Sequence, residues 1–276
     1  STIHKYRPTL FPGVPAMYVA LGNDPEVVAG SYDLSSIRVC LSGAAPLLLE
    51  TKQRFEKVTG CRLVEAYGLT EAHCCSHLLP IYGRYKPGSV GLPLPGVMAR
   101  VMDPNDGTSE MPVNEPGEII LKSMCNMQGY WNQPAETENT LRDGWLYTGD
   151  IGHMDEDGYF YIDDRKKDMI IAGGYNIYPR ELEDVLIRHP AVMEVAVAGV
   201  PDPRRGETVK AWIVPVAGAA VTKDEIITWS KSQLAAYKYP RLVEFRDELP
   251  KSGVGKVLKR ELVKEHLQVE TGIVPA

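Results

Sequence analysis

Several side chains in this 276-residue sequence have the types and neighbours needed to handle a phosphorylated ligand. Tyr67-Gly68-Leu69-Thr70-Glu71 follows a run patterned like a β-strand. Thr70 and Glu71 there suit a phosphate and Mg²⁺, which takes a carboxylate together with substrate oxygens. The same residues would also serve as a plain strand-ending turn. Trp145-Leu146-Tyr147-Thr148-Gly149-Asp150 ends in a Gly-Asp pair. An Asp in a loop can accept both hydroxyls of a ribose, although an ordinary Asp turn would account for it as well. Arg165, in Asp164-Arg165-Lys166-Lys167-Asp168, could reach a ribose or a phosphate. Gly173 and Gly174 would let backbone come close to a ligand, or simply close a hairpin. Pro250-Lys251-Ser252-Gly253-Val254-Gly255-Lys256 is a glycine-flexible loop ending in a lysine. It lacks the spacing of a phosphate-binding P-loop, and Val257 stands where that motif needs a hydroxyl. Gly117-Glu118-Ile119 and Gly129-Tyr130-Trp131-Asn132 read as packing segments. His73-Cys74-Cys75-Ser76-His77 crowds its potential ligands too closely for the usual zinc spacings and reads instead as buried thiols.

The elements that would position these residues can be read from periodicity and punctuation. Ile37–Ser42 is patterned as a strand, Gly43-Ala44-Ala45-Pro46 as a tight turn, and Leu47–Val58 as a helix with Gly60 past its end. Arg62–Tyr67 is the next strand, and strand, helix, strand implies a parallel crossover. Ligands in such sheets bind at the carboxyl ends of the strands. From about Ser89 the pattern changes to short strands (97–102, 118–122, 159–162) between turn residues, predicting a small antiparallel sheet or barrel. The charged run 163–168 is either a solvated turn or a hinge. Beyond it the pattern predicts strands at 169–171, 192–200, 209–214 and 242–245, and helices from Pro179 to His189 and from Val257 to His266. Thr222-Lys223-Asp224-Glu225 predicts a capping box that opens a further helix. The expected architecture is α/β. A partial large domain, with a parallel βαβ portion (1–88) and a small β-rich portion (89–164), is followed by a compact α+β domain (165–276).

Composition excludes several classes. With 44% hydrophobic and 24% charged residues the chain is an ordinary globular sequence. No run approaches the ~20 apolar residues of a membrane span. The first residues have neither an initiating Met nor the apolar core of a signal peptide, and read as mid-domain sequence. The five cysteines read as a reduced, cytoplasmic thiol set. From Arg165 onward there are 18 Lys and Arg against 15 Asp and Glu, whereas the whole chain has 30 against 36. A mildly basic module thus follows an acidic body. There is no dense basic stripe with interleaved aromatics, so nucleic acid is not expected as a partner. An anionic small ligand fits the asymmetry.

Taken together and in order, these segments resemble the adenylate-forming superfamily of acyl-CoA synthetases, luciferases and peptide-synthetase adenylation domains. The motifs are Tyr-Gly-Leu-Thr-Glu, Gly-Glu-Ile, Gly-Tyr-Trp, Tyr-Thr-Gly-Asp, Asp-Arg-Lys-Lys-Asp, Gly-Tyr-Asn-Ile-Tyr-Pro-Arg-Glu-Leu-Glu, Tyr-Lys-Tyr-Pro and Pro-Lys-Ser-Gly-Val-Gly-Lys. The resemblance implies ATP, Mg²⁺ and CoA as cofactors and substrates. It implies an adenine pocket of Gly43, Ala44, Ala45, Pro46 and Tyr67, with Gly68 beside it. It also implies Thr70 on the phosphates, Glu71 on magnesium, and Asp150 and Arg165 on the ribose. Lys256 would stabilise charge at the α-phosphate, Gly173 and Gly174 would line the path of CoA, and Lys167 would be the hinge of the C-terminal domain. The Asp164 variant of the hinge motif, Tyr237-Lys238-Tyr239-Pro240 and Glu244–Ser252 look like the long-chain fatty acyl-CoA synthetase form, so a fatty acid is the expected substrate.

One family feature is missing. No Ser/Thr/Gly-rich phosphate loop precedes Tyr67. The expectation is therefore that roughly the N-terminal half of the enzyme lies outside this sequence, and that the chain alone is not a competent ligase. Other readings are an aryl-acid ligase or peptide-synthetase adenylation fragment, and a non-catalytic nucleotide- or CoA-binding module. The location expected is cytoplasmic, with peripheral membrane contact open.

Overall fold

The computed structural model describes residues 1–45, 47, 49–72, 74–252 and 256–271. The chain falls into two units, Ser1–Ile162 and Asp163–Ala276.

In the first unit, strand Leu10–Gly13 lies parallel to Val39–Ser42, which lies parallel to Arg62–Tyr67. Ser42 is level with both Gly13 and Glu65, so the strands end together at one side of the sheet. Side chains alternate faces along a strand. Cys40 and Leu63 pack with Tyr18 and Phe55 from helices Pro15–Asn23 and Leu49–Thr59. Val39 and Val64 pack on the other face with Leu79 and Tyr159. The crossover helix is tied to the strand after it by a buried lysine. Lys52 donates to the carbonyl of Leu63 and, at 2.5 Å, to Glu56 Oε1. That Glu56 oxygen also accepts the Leu63 amide at 2.8 Å.

The sheet then changes direction. His77–Leu78 pairs antiparallel with the end of Arg62–Tyr67, and Ser89–Pro93 pairs antiparallel with His77–Leu78. Strands Phe160–Arg165, Trp145–Met154, Gly117–Lys122 and Met98–Met102 continue the path. The expected antiparallel sheet is thus an extension of the parallel one. Its strands meet over Ala72, Val101, Ile119, Leu121, Leu146 and Phe160.

The second unit is a five-stranded sheet in the order Tyr175–Ile177, Ile170–Ala172, Gly206–Pro215, Val192–Asp202. Leu242–Phe245 lies parallel to Gly206–Pro215. Alternation again sorts the residues. Val209, Ala211 and Ile213 face Leu182, Leu186 and Ile226 of helices Pro179–Leu186 and Lys223–Gln233. Trp212 and Val214 face Leu262 of helix Lys259–Thr271. The capping box is formed: Thr222 Oγ1 accepts the Glu225 amide, and Glu225 accepts the Thr222 amide. The α/β architecture with a following α+β unit is therefore present. Among the described residues no helix is long and apolar enough to cross a membrane.

Candidate functional site

At the carboxyl ends of the parallel strands three segments of the first unit come together. Gly43 donates its amide to the carbonyl of Gly13 at 3.2 Å, and a Cβ added to it would stand 3.4 Å from the Ala66 carbonyl oxygen. Ala44 is held at φ 68°, a left-handed conformation that costs a residue with a Cβ on the order of 1 kcal/mol. Ala44 and Ala45 are exposed; Pro46, the fourth expected member of this turn, lies outside the described residues.

The next strand delivers Tyr67. Its hydroxyl donates to Asp150 Oδ2 at 2.6 Å, joining two motifs 83 positions apart. Gly68 follows at a close crossing of backbones. A Cβ at this position would sit 2.1 Å from the Cys74 carbonyl oxygen, so only glycine fits. The chain then turns through Thr70–Ala72, where the Leu69 carbonyl accepts the amides of both Ala72 and Cys74. Thr70 is exposed and Glu71 half-buried. Tyr130 donates its hydroxyl to Glu71 Oε1 at 3.0 Å, and Met127 donates its amide to the Glu71 carbonyl at 2.7 Å. Burial and the Glu71 bond together push the Tyr130 phenol above its ordinary range.

Asp150 reaches the site through a bulge. Glu118 pairs with Ile151 and Ile120 with Tyr147, so Thr148, Gly149 and Asp150 stand opposite Ile119 alone. Gly149 takes the surplus at φ 70°. Glu118, buried, accepts the Gly149 amide on Oε1 at 3.1 Å. Thr148 Oγ1 donates to the Ile119 carbonyl at 2.7 Å and accepts the Asp150 amide at 3.1 Å.

Three residues here differ from their sequence-based reading. Glu118 and Tyr130 hold site residues rather than serving as packing, and Trp131 is 89% exposed, not core. In the 73–77 run, Cys74 is exposed and Cys75 part-buried, so these are not buried thiols; His73 lies outside the described residues. Ser76 is buried, and so, fully, is His77. Its ring centroid stands 5.7 Å from that of Tyr67 and 4.7 Å from that of Phe160. Burial pushes its imidazole down to about 3. Glu118 and Tyr130 fall within the Gly-Glu-Ile and Gly-Tyr-Trp motifs, but no spacing rule says what either side chain holds. The signal for His77 was its place on a strand paired with Tyr67, which needed the pairing to be known.

The second unit carries the remaining expected residues. Asp164 is buried and accepts the amides of Arg165 and Arg180 at 2.7 and 2.9 Å. The segment is therefore anchored, not a solvated turn. Burial raises the Asp164 carboxyl above its ordinary range against those bonds. Arg165 is half-buried, and Lys167 is exposed on the short turn Lys166–Asp168. Gly173 and Gly174 form the two-residue loop between Ile170–Ala172 and Tyr175–Ile177, with φ of 62° and 83°. Two positive angles in succession match a type I′ hairpin. Lys256 is exposed. Its amide donates to Ser252 Oγ at 3.2 Å and its carbonyl accepts the Ser252 amide at 2.8 Å, closing the base of the loop. Gly253, Val254 and Gly255 lie outside the described residues.

Two family models match this chain: AMP-binding enzyme over residues 1–131, and AMP-binding enzyme C-terminal domain over 181–256. The chain belongs to the AMP-binding enzyme family. Within that family it is 54% identical to the long-chain-fatty-acid–CoA ligase of Bacillus subtilis, an alignment covering 96% of this chain and 47% of that one. It is 43% identical to the feruloyl-CoA synthase of an Amycolatopsis species over 95% of this chain and 52% of the relative. Among solved structures, ATP-bound MatB from Rhodopseudomonas palustris superposes with a TM-score of 0.86 at 38% identity, covering 96% of this chain and 52% of that chain. The chain spans about half the length of the curated relatives it matches.

Glu71 fits a magnesium ion. Mg²⁺ prefers one or two carboxylates plus substrate oxygens over an all-protein cage. Glu71 offers a half-buried carboxylate steadied at one oxygen, and no group of three or more metal-ligating side chains occurs among the described residues.

Proposed function

We propose that this chain is the C-terminal part of an ATP-dependent fatty acid:CoA ligase. The observation that carries the reading is the Tyr67–Asp150 hydrogen bond. It joins two separate motifs at the carboxyl ends of parallel strands, where α/β sheets bind their ligands. The 54% identity to a long-chain-fatty-acid–CoA ligase supports the substrate class.

The chemistry has two steps. A carboxylate oxygen of the fatty acid attacks the α-phosphorus of ATP, and pyrophosphate leaves with the electron pair of the broken bond. The sulfur of CoA then attacks the carbonyl carbon of the acyl-adenylate, loses its proton, and expels AMP. In this assignment Gly43, Ala44, Ala45, Pro46, Tyr67 and Gly68 hold the adenine, and Asp150 and Arg165 the ribose. Thr70 donates to phosphate oxygens, and Glu71 holds magnesium, which neutralises phosphate charge when bound. Lys256 stabilises the charge that grows at the α-phosphate, a preorganised contact of the kind worth about 10²–10³ in rate. Gly173 and Gly174 line the CoA path, and Lys167 is the hinge on which residues 165–276 reorient between the steps. Residues 1–88 and 89–164 are the corresponding parts of the body. The reading puts the enzyme in the cytoplasm.

The remaining parts of the nucleotide and acyl sites belong to an N-terminal half, and the chain alone should lack ATP–pyrophosphate exchange. An aryl acid is the second reading, favoured by the similarity to a feruloyl-CoA synthase; a panel of fatty and aryl acids separates the two. A pure binding module would need neither Lys256 nor Glu71. The decisive experiment is Lys256→Ala in the full-length enzyme. Adenylate formation should fall by at least ~10², while thioester formation from supplied acyl-adenylate persists. Equal loss of both steps refutes the role given to Lys256.

A further inference from the structure

We propose that Glu118 is a positioning residue for nucleotide binding: its carboxylate holds the Gly149 amide and so sets the aim of Asp150 at the ribose. The inference rests on the ribose role given to Asp150 above. Its own ground is the bulge between Gly117–Lys122 and Trp145–Met154.

Three residues face one at that bulge. Such an irregularity re-aims side chains, and it persists only if the backbone groups it displaces find partners. Here two side chains take that part. Thr148 Oγ1 caps the Ile119 carbonyl from the bulged strand, and Glu118 Oε1 takes the Gly149 amide from the opposite one. Only the second bond crosses from the flat strand to the apex of the bulge. Asp150 is the next residue, buried, with its amide on Thr148 and its carboxylate against Tyr67. Gly149 itself has open space on the side where a Cβ would project, so side-chain packing at Gly149 does not fix the apex. Burying a carboxylate is costly unless it is hydrogen-bonded. Glu118 is buried within the sheet with one oxygen on this amide. Glu118 lies in the Gly-Glu-Ile segment, but that segment alone gives no sign of this bond, which depends on the pairing of Gly117–Lys122 with the bulged strand.

The test uses the full-length enzyme, with AMP and 2′,3′-dideoxy-AMP binding measured by calorimetry. The unsubstituted enzyme should prefer AMP, and Asp150→Asn should abolish the preference. Glu118→Met keeps the length of the side chain but has no acceptor oxygen. It should weaken AMP by about tenfold, as loss of one charge-assisted bond does, and leave the dideoxy analogue unchanged. Glu118→Gln, which retains a carbonyl acceptor, should restore most of the preference. If Glu118→Met does not fold, Glu118→Asp carries the same expectation, because its oxygens fall short of Gly149. Full preference for AMP in the Met or Asp variant overturns the proposal, as does equal weakening of both ligands. No preference in the unsubstituted enzyme overturns the ribose assignment of Asp150 itself, and this proposal with it. In the free protein, the Gly149 amide should exchange with solvent at least about tenfold faster in Glu118→Met, with Leu121 unchanged. An unaltered Gly149 rate also overturns the proposal.

Discussion

Lowering the pH should destabilise the first unit through one side chain, His77. The ring is fully buried between Tyr67 and Phe160. Nδ1 lies 3.0 Å from Ser76 Oγ, and Nε2 has no hydrogen-bond partner among the described residues. A proton on this ring would be a buried charge with no ion-pair partner among the described residues. Burial accordingly takes the imidazole from its ordinary 6.5 down to about 3. The unfolded chain takes up this proton near pH 6.5, and the folded protein only near 3. Between those values the unfolded state holds more protons, so stability is fully present above pH 6.5 and declines as the pH falls. Each pH unit in that window is worth about 1.4 kcal/mol, hence about 3 kcal/mol between pH 6.5 and pH 4. Native-state hydrogen exchange at the core amides of Leu63 and Leu121 measures the opening free energy of this unit. Carboxylates titrate in the same range, so the quantity of interest is the difference from His77→Gln, which carries no proton there. The unsubstituted protein should lose about 3 kcal/mol more than the variant over that interval. Equal pH dependence, or an imidazole NMR titration with a midpoint above 5, would refute the reasoning.

Two further perturbations follow from backbone geometry and helix termini. Gly68→Ala places a Cβ 2.1 Å from the Cys74 carbonyl oxygen. Because backbone must move, it should cost about 3 kcal/mol and disturb Thr70 and Glu71 with it; a melting temperature unchanged from the parent would contradict the close crossing. Thr222→Ala removes the cap of helix Lys223–Gln233. It should cost the second unit about 1 kcal/mol, read as faster exchange at Ile226 and Trp229, with Leu63 in the first unit unaffected.

Much of this molecule follows from local sequence. The strand 62–67 was legible because a short apolar run, Leu63, Val64, Ala66 and Tyr67, ends at a glycine, and it runs over Arg62–Tyr67 in the structure. Leu242–Phe245 and the Thr222 capping box were legible for the same reason: their signals are periodicity and a four-residue hydrogen-bonding pattern, both local. The long hairpin Val192–Asp202 with Gly206–Pro215 was legible in its apolar centre but extends further than its hydrophobic run. Its ends are held by backbone pairing, to which hydrophobic patterning is blind.

The residue types of the candidate site were likewise determined by sequence alone. Tyr67, Thr70, Glu71, Asp150 and Lys256 sit in motifs whose order is recognisable without coordinates. What tertiary structure decided is which of them meet, and what holds them. Nothing local brings Tyr67 to Asp150; the folded sheet does, although three other strands lie between theirs. Tertiary structure likewise turns Glu118 into the bulge's anchor, Tyr130 into a support for Glu71, and His77 into a buried neutral base beside Tyr67. It also leaves Trp131 in solvent, against the expectation for an aromatic. Side-chain type is carried by the sequence position by position. Burial and partnership depend on contacts between distant segments, which arise only when the sheet has closed.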